Sequence, residues 1–136
     1  MAEKSLRVGL IGEAISTVTI EETALTMGSG SFEVYATPAM LALMEGAAIS
    51  AMTPYLKDDF ASVGIEINAK HIAATPIGEG VTAIAEITRI DGKRVHLEIR
   101  AWDEKALIGT ATHTRYIVHI DDFMDRVHNT DSGQDT

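Results

Sequence analysis

Two polar residues stand in surroundings that would otherwise be apolar, and both are of types that move protons. Glu45 is the one charged residue in the run Thr37–Tyr55, where nearly every other side chain is apolar or small. By helical spacing it shares a face with Leu41, Ala48 and Met52. An unpartnered carboxylate buried there would cost several kcal/mol, so a cation, a hydrogen-bond donor or a catalytic use has to account for it. The plain structural alternative is a glutamate at the rim of the buried face. His71 is the second residue. Ile65, Ile67, Ala69, His71 and Ala73 alternate onto one face of an extended strand, opposite Glu66, Asn68 and Lys70. A lone histidine on such a face is either a hydrogen-bonded core residue or an acid–base group, and the second reading gains if the helix carrying Glu45 packs on that face.

The elements that would position these residues follow from the pattern. Thr37 and Pro38 mark a helix start, with Thr37 as a capping oxygen, and Thr53-Pro54 marks its end. The helix should be buried on most sides. It is shorter than the roughly 20 residues of a membrane span. A first strand is expected at about residues 13–20. Residues 21–31 form a polar connection, with Gly28-Ser29-Gly30-Ser31 as a mobile lid or a solvated linker, leading to Phe32, Val34 and Tyr35. After the helix the period changes to alternation from Ser62. Strands are expected at about 81–90, 94–102 and 106–120, with turns at Thr75-Pro76-Ile77-Gly78, Asp91-Gly92 and Asp103-Glu104. A short helix at residues 121–128 and a disordered polar tail at 129–136 close the chain. One helix against one curved antiparallel sheet is a two-layer α+β architecture, in a single domain spanning residues 1–128. Its exposed strand edges predict at least a homodimer.

Composition narrows the classes of function. The formal charge of −9 over 136 residues argues against nucleic acid or an anionic membrane surface as partner. No cysteine is present, which removes disulfides, thiol nucleophiles and thiolate metal sites. The first residues lack a signal-peptide core, and with the missing cysteines this predicts a cytoplasmic protein. His96, His113, His119 and His128 show no chelating spacing, so no metal is expected.

In this order of elements the chain resembles the hotdog fold of acyl-CoA thioesterases. The runs Ala36-Thr37, Leu43-Met44-Glu45, Ala51-Met52-Thr53-Pro54-Tyr55-Leu56 and His71-Ile72-Ala73-Ala74-Thr75-Pro76 are similar to the fluoroacetyl-CoA thioesterase family. The resemblance covers residues 10–128. It implies a catalytic threonine, glutamate and histidine at Thr37, Glu45 and His71, a glycine amide against the thioester at Gly64, and an arginine at Arg115 that binds coenzyme A phosphates or holds a carboxylate. Phe32 and Tyr35 are the aromatic candidates for substrate contact. Fluoroacetyl-selective members have an aromatic-rich segment before the threonine. Here Gly28-Ser29-Gly30-Ser31 stands near that place, which implies another short acyl-CoA. On this reading the enzyme needs no cofactor beyond the coenzyme A of its substrate. Glu45 would attack the carbonyl or activate water with His71 as its partner, while Thr37 positions Glu45 or the water. Eight residues of helix put about 12 Å of rise between Thr37 and Glu45, so a second subunit is expected to contribute to each site. A hotdog hydratase and a non-catalytic acyl-CoA-binding protein are the alternatives.

Overall fold

Alternation builds the sheet. Val81, Ala83, Ala85 and Ile87 on one strand and Val95, Leu97, Ile99 and Ala101 on the next are all buried, each set on one face. The computed structural model describes residues 5–129. Its strands are β1 (Ile11–Thr17), β2 (Phe60–His71), β3 (Gly80–Asp91), β4 (Arg94–Trp102) and β5 (Leu107–His119). Its helices are α1 (Ala24–Met27), α2 (Thr37–Met52) and α3 (Ile120–His128). The strands form one antiparallel five-stranded sheet in the order β1-β3-β4-β5-β2. Thus β2 does not pair with β3, its successor in the chain. It lies at the far edge beside β5, and the segment between β2 and β3 crosses the end of the sheet near the start of α2. There Tyr35 N–H donates to the Thr75 carbonyl at 2.8 Å.

Helix α2 lays Met40, Met44, Ala47, Ala48, Ala51 and Met52 onto this face, all of them buried. Each buried methionine contributes on the order of 1.5–3 kcal/mol by leaving water. The small residues let β1 approach closely. A Cβ on Gly12 would run into the backbone of Ala47 and Ala51, so only glycine fits there. The helix ends at Met52, at the Thr53-Pro54 signal as expected, and a 3-10 turn at Thr53–Tyr55 follows, since Pro54 has no N–H to continue the ladder. Nor is it buried on most sides. Pro38, Ala42, Ile49 and Ser50 are exposed, and Glu45 lies on this open stripe with its side chain 42% exposed.

Three other expectations are revised. Strand β1 begins at Ile11 and ends at Thr17, because Val18 turns into the core and the chain enters a 3-10 turn at Ile20–Glu22. The segment before α2 is folded back on itself. Thr23 caps α1, Gly28 ends it at φ 76°, and Leu25 N–H and Ala24 N–H donate to the Phe32 and Val34 carbonyls at 3.0 and 2.8 Å. In β2 the alternation breaks. A β-bulge between Gly64 and Glu66 leaves Ile65 as an extra residue, 49% exposed instead of in the core. The other strands match expectation to within a residue or two, and α3 closes the fold as predicted. The tail expected to be disordered lies, from residue 130 onward, outside the described residues.

Candidate active site

The candidate side chains gather in two groups, each built between α2 and the sheet. The first is at the start of α2. Thr37 Oγ1 lies 2.8 Å from His71 Nδ1 at the end of β2. The expected cap is not made. Ala36 is the N-cap residue and no side chain caps the helix, so the Thr37 hydroxyl is committed to the imidazole instead. The ring of Tyr35 meets His71 edge-on at 6.4 Å, and His71 Nε2 is buried with no hydrogen-bond partner among the described residues. Burial lowers the His71 pKa from its ordinary value, partly offset by a backbone contact at Ala73, so the ring is neutral at pH 7. Tyr35 is 2% exposed, and its hydroxyl donates to the Ala39 carbonyl at 3.3 Å. Phe32 is 72% exposed. An open depression of about 320 Å³ beside this pair is lined by Ala24, Val34, Tyr35, Thr37, His71 and Ile72, among others.

The second group lies farther along α2. Glu45 Oε2 is 3.4 Å from Arg115 Nη1, and Arg115 is only 5% exposed. Arg115 Nε donates to Ser62 Oγ at 2.8 Å and Nη2 to the Ser62 carbonyl at 3.0 Å. Nη1 also faces His113 Nε2 at 3.2 Å. Of the two roles open to Arg115, the geometry therefore brings it to a carboxylate, with its donors held inside the fold. Burial lowers the Arg115 pKa and Glu45 raises it again, and the group stays a cation. Gly64 pairs with Arg115 across the β2–β5 ladder. A Cβ there would collide with Glu45 Oε2 and press on Arg115 Nη1 and His113 Cε1, both at 3.3 Å. Gly64 thus leaves room for the carboxylate. Within one chain Glu45 is brought to Arg115 and His71 to Thr37, but the expected pairing of Glu45 with His71 is not made.

The family model for FlK, fluoroacetyl-CoA-specific thioesterase, matches residues 18–121. The chain belongs to this family. The fluoroacetyl-CoA thioesterase of Streptantibioticus cattleyicolor is 41% identical over 95 residues, covering 70% of this chain and 68% of that one. A solved structure of FlK superposes with a TM-score of 0.84 at 35% identity, over 91% of this chain and 96% of that one. The hot-dog-like protein from Thermanaerovibrio acidaminovorans superposes at 0.85 with 27% identity, over 97% of both chains. As a member of this thioesterase family the chain has the hotdog fold and is a thioester hydrolase, which sets aside the hydratase and the non-catalytic binder. Among the described residues no helix is long and apolar enough to cross a membrane.

Two residues that contact Arg115 beside Glu45 were not singled out from sequence, Ser62 and His113. His113 was legible in principle. It stands two residues before Arg115 on β5, hence on the same face, and it follows the inward-facing Ala111. Ser62 had no such signal, because its role depends on which strand β2 pairs with.

Proposed function

We propose that the chain hydrolyses a short acyl-CoA to carboxylic acid and free coenzyme A, as a homodimer whose two sites are each shared between subunits. The observation that carries this reading is the separation of two incomplete polar groups, Thr37 with His71 and Glu45 with Arg115, along a free strand edge. Strand β2 offers that edge over 12 residues and should pair with its own copy. A two-fold axis through Asn68 satisfies the geometry. His71 lies three residues beyond Asn68 and Gly64 four before it, and the bulge at Gly64–Glu66 absorbs the odd residue. His71 of one subunit would then face Gly64 and Glu45 of the other. The open stripe of α2 around Ala42 and Ile49 would be covered in the same step.

In such a site the thioester carbonyl sits between the two groups. Glu45 delivers the attacking oxygen, its own or that of a water it deprotonates. The backbone amide of Gly64 polarises the carbonyl oxygen. Neutral His71, oriented by Thr37, gives its ring proton to the departing thiolate and regains one from the water that hydrolysis consumes. Apart from Tyr35 and His71, the depression is lined by small and aliphatic side chains, and the Gly28–Ser31 turn adds no large one. This supports an acyl group of a few carbons, not restricted to fluoroacetyl.

The test is release of free thiol from a panel of acyl-CoAs, from acetyl and fluoroacetyl through branched, aromatic and long-chain groups. Preferred turnover of a short group is expected, and no turnover of any short acyl-CoA would refute the reading. Assembly is tested separately with Asn68→Cys. The chain has no other cysteine, and residues facing each other across antiparallel strands are about 4.5–5.5 Å apart at Cα, within disulfide reach. A covalent dimer should form on oxidation.

A further inference from the structure

The acid–base and carboxylate groups discussed so far leave a buried histidine without a role. His113 is 2% exposed and lies between the bulge of β2 and the guanidinium of Arg115. We propose that His113 is a positioning residue for hydrolysis, held as the neutral Nδ1–H tautomer so that its Nε2 accepts from Arg115 and aims that guanidinium at Glu45. The inference rests on the reading of Glu45 as the group that delivers the attacking oxygen.

Its tautomer follows from its neighbours. His113 Nδ1 lies 2.7 Å from the carbonyl oxygen of Glu66, which can only accept, so Nδ1 carries a proton. Arg115 Nη1, 3.2 Å from Nε2, can only donate, so Nε2 carries none. The approach of Nε2 to Glu45 Oε2 at 3.8 Å is therefore a neighbouring contact and not an ion pair. Burial, with Arg115 adding to it, lowers the His113 pKa, against the raising influence of Glu66 and Glu45. That agrees with a neutral ring.

The bulge in β2 acquires a purpose from the same geometry. By inserting Ile65, it lets the Glu66 carbonyl meet the imidazole. Arg115 is then held by Ser62 Oγ, the Ser62 carbonyl and His113 Nε2, and its approach to Glu45 at 3.4 Å is the longest of the four contacts. Three fixed acceptors aim the guanidinium, and the carboxylate that must act is held most loosely.

Two substitutions separate the halves of the imidazole. In His113→Asn the side-chain amide reaches about as far as Nδ1 and keeps the bond to Glu66 but loses the acceptor for Arg115. In His113→Gln the carbonyl reaches about as far as Nε2 and restores that acceptor. The Asn variant should lose about 10- to 100-fold in kcat with KM changed less than about twofold, and the Gln variant should recover most of that loss. Melting temperatures report any merely structural effect. Nitrogen chemical shifts of the His113 ring in the wild-type dimer should show a neutral Nδ1–H imidazole at pH 7. A protonated ring, an Nε2–H ring, or an Asn variant with full kcat overturns the proposal. Glu45→Gln is measured alongside. If that variant turns over normally, the reading of Glu45 fails, and the ring tautomer still decides whether His113 is set as described.

Discussion

The two ends of the site are built on opposite principles. At the start of α2, Thr37 and His71 share one hydrogen bond beside an open depression, and one ring nitrogen of His71 has no partner among the described residues. Along the helix, Arg115 is gripped by Ser62 and His113 and is almost wholly buried, with only Glu45 left partly open. A group that must change protonation during turnover benefits from few fixed partners, whereas a charge that must stay put benefits from many. The contrast fits the proposed roles, in which His71 at the open end handles the leaving group's proton and buried Arg115 supplies a fixed charge beside the reacting Glu45.

The strongest way to break this contrast is at Glu45, the one member of the rigid end that is held loosely. Glu45→Gln should lower kcat by about 10³-fold or more while dimer and melting temperature are retained. Single turnover in ¹⁸O water then sharpens the role, since label appears in the Glu45 carboxylate only if that oxygen attacks directly. Next in size is Gly64→Ala. Its methyl would displace Glu45 from Arg115, and a loss of about 10²-fold in kcat is expected with little change in folding. At the open end Thr37→Val should cost about tenfold, the worth of one positioning hydrogen bond, and it should show in kcat more than in KM. If Thr37→Val proved as damaging as Glu45→Gln, the division between the two ends would be wrong.

The smallest expected effect is on stability. His71 and His113 both have folded pKa values below the ordinary 6.5. As pH falls through about 6.5 the unfolded chain takes up protons that the folded chain refuses. Stability is therefore full above that pH and declines below it, until the folded histidines titrate in turn. Melting curves from pH 8 to pH 5 should show this decline, and His113→Gln should reduce its slope.

Much of the fold was legible in the residues. The apolar run with its single carboxylate marked α2, and alternation marked β3 and β4, because helix and strand periods are local properties of the chain. Glu45 and His71 stood out for the same reason, each being polar where the pattern called for apolar. The sequence runs around Thr37, Glu45 and His71 also carried the family resemblance. What the sequence could not determine was who meets whom. Placing β2 beside β5 is a long-range choice, and with it come Ser62 on Arg115, the bulge that frees the Glu66 carbonyl for His113, and the hydroxyl of Thr37 turned from helix cap to imidazole partner. Contacts between residues 34 to 70 positions apart depend on strand order and packing. No local pattern encodes them, and only the tertiary structure decided them.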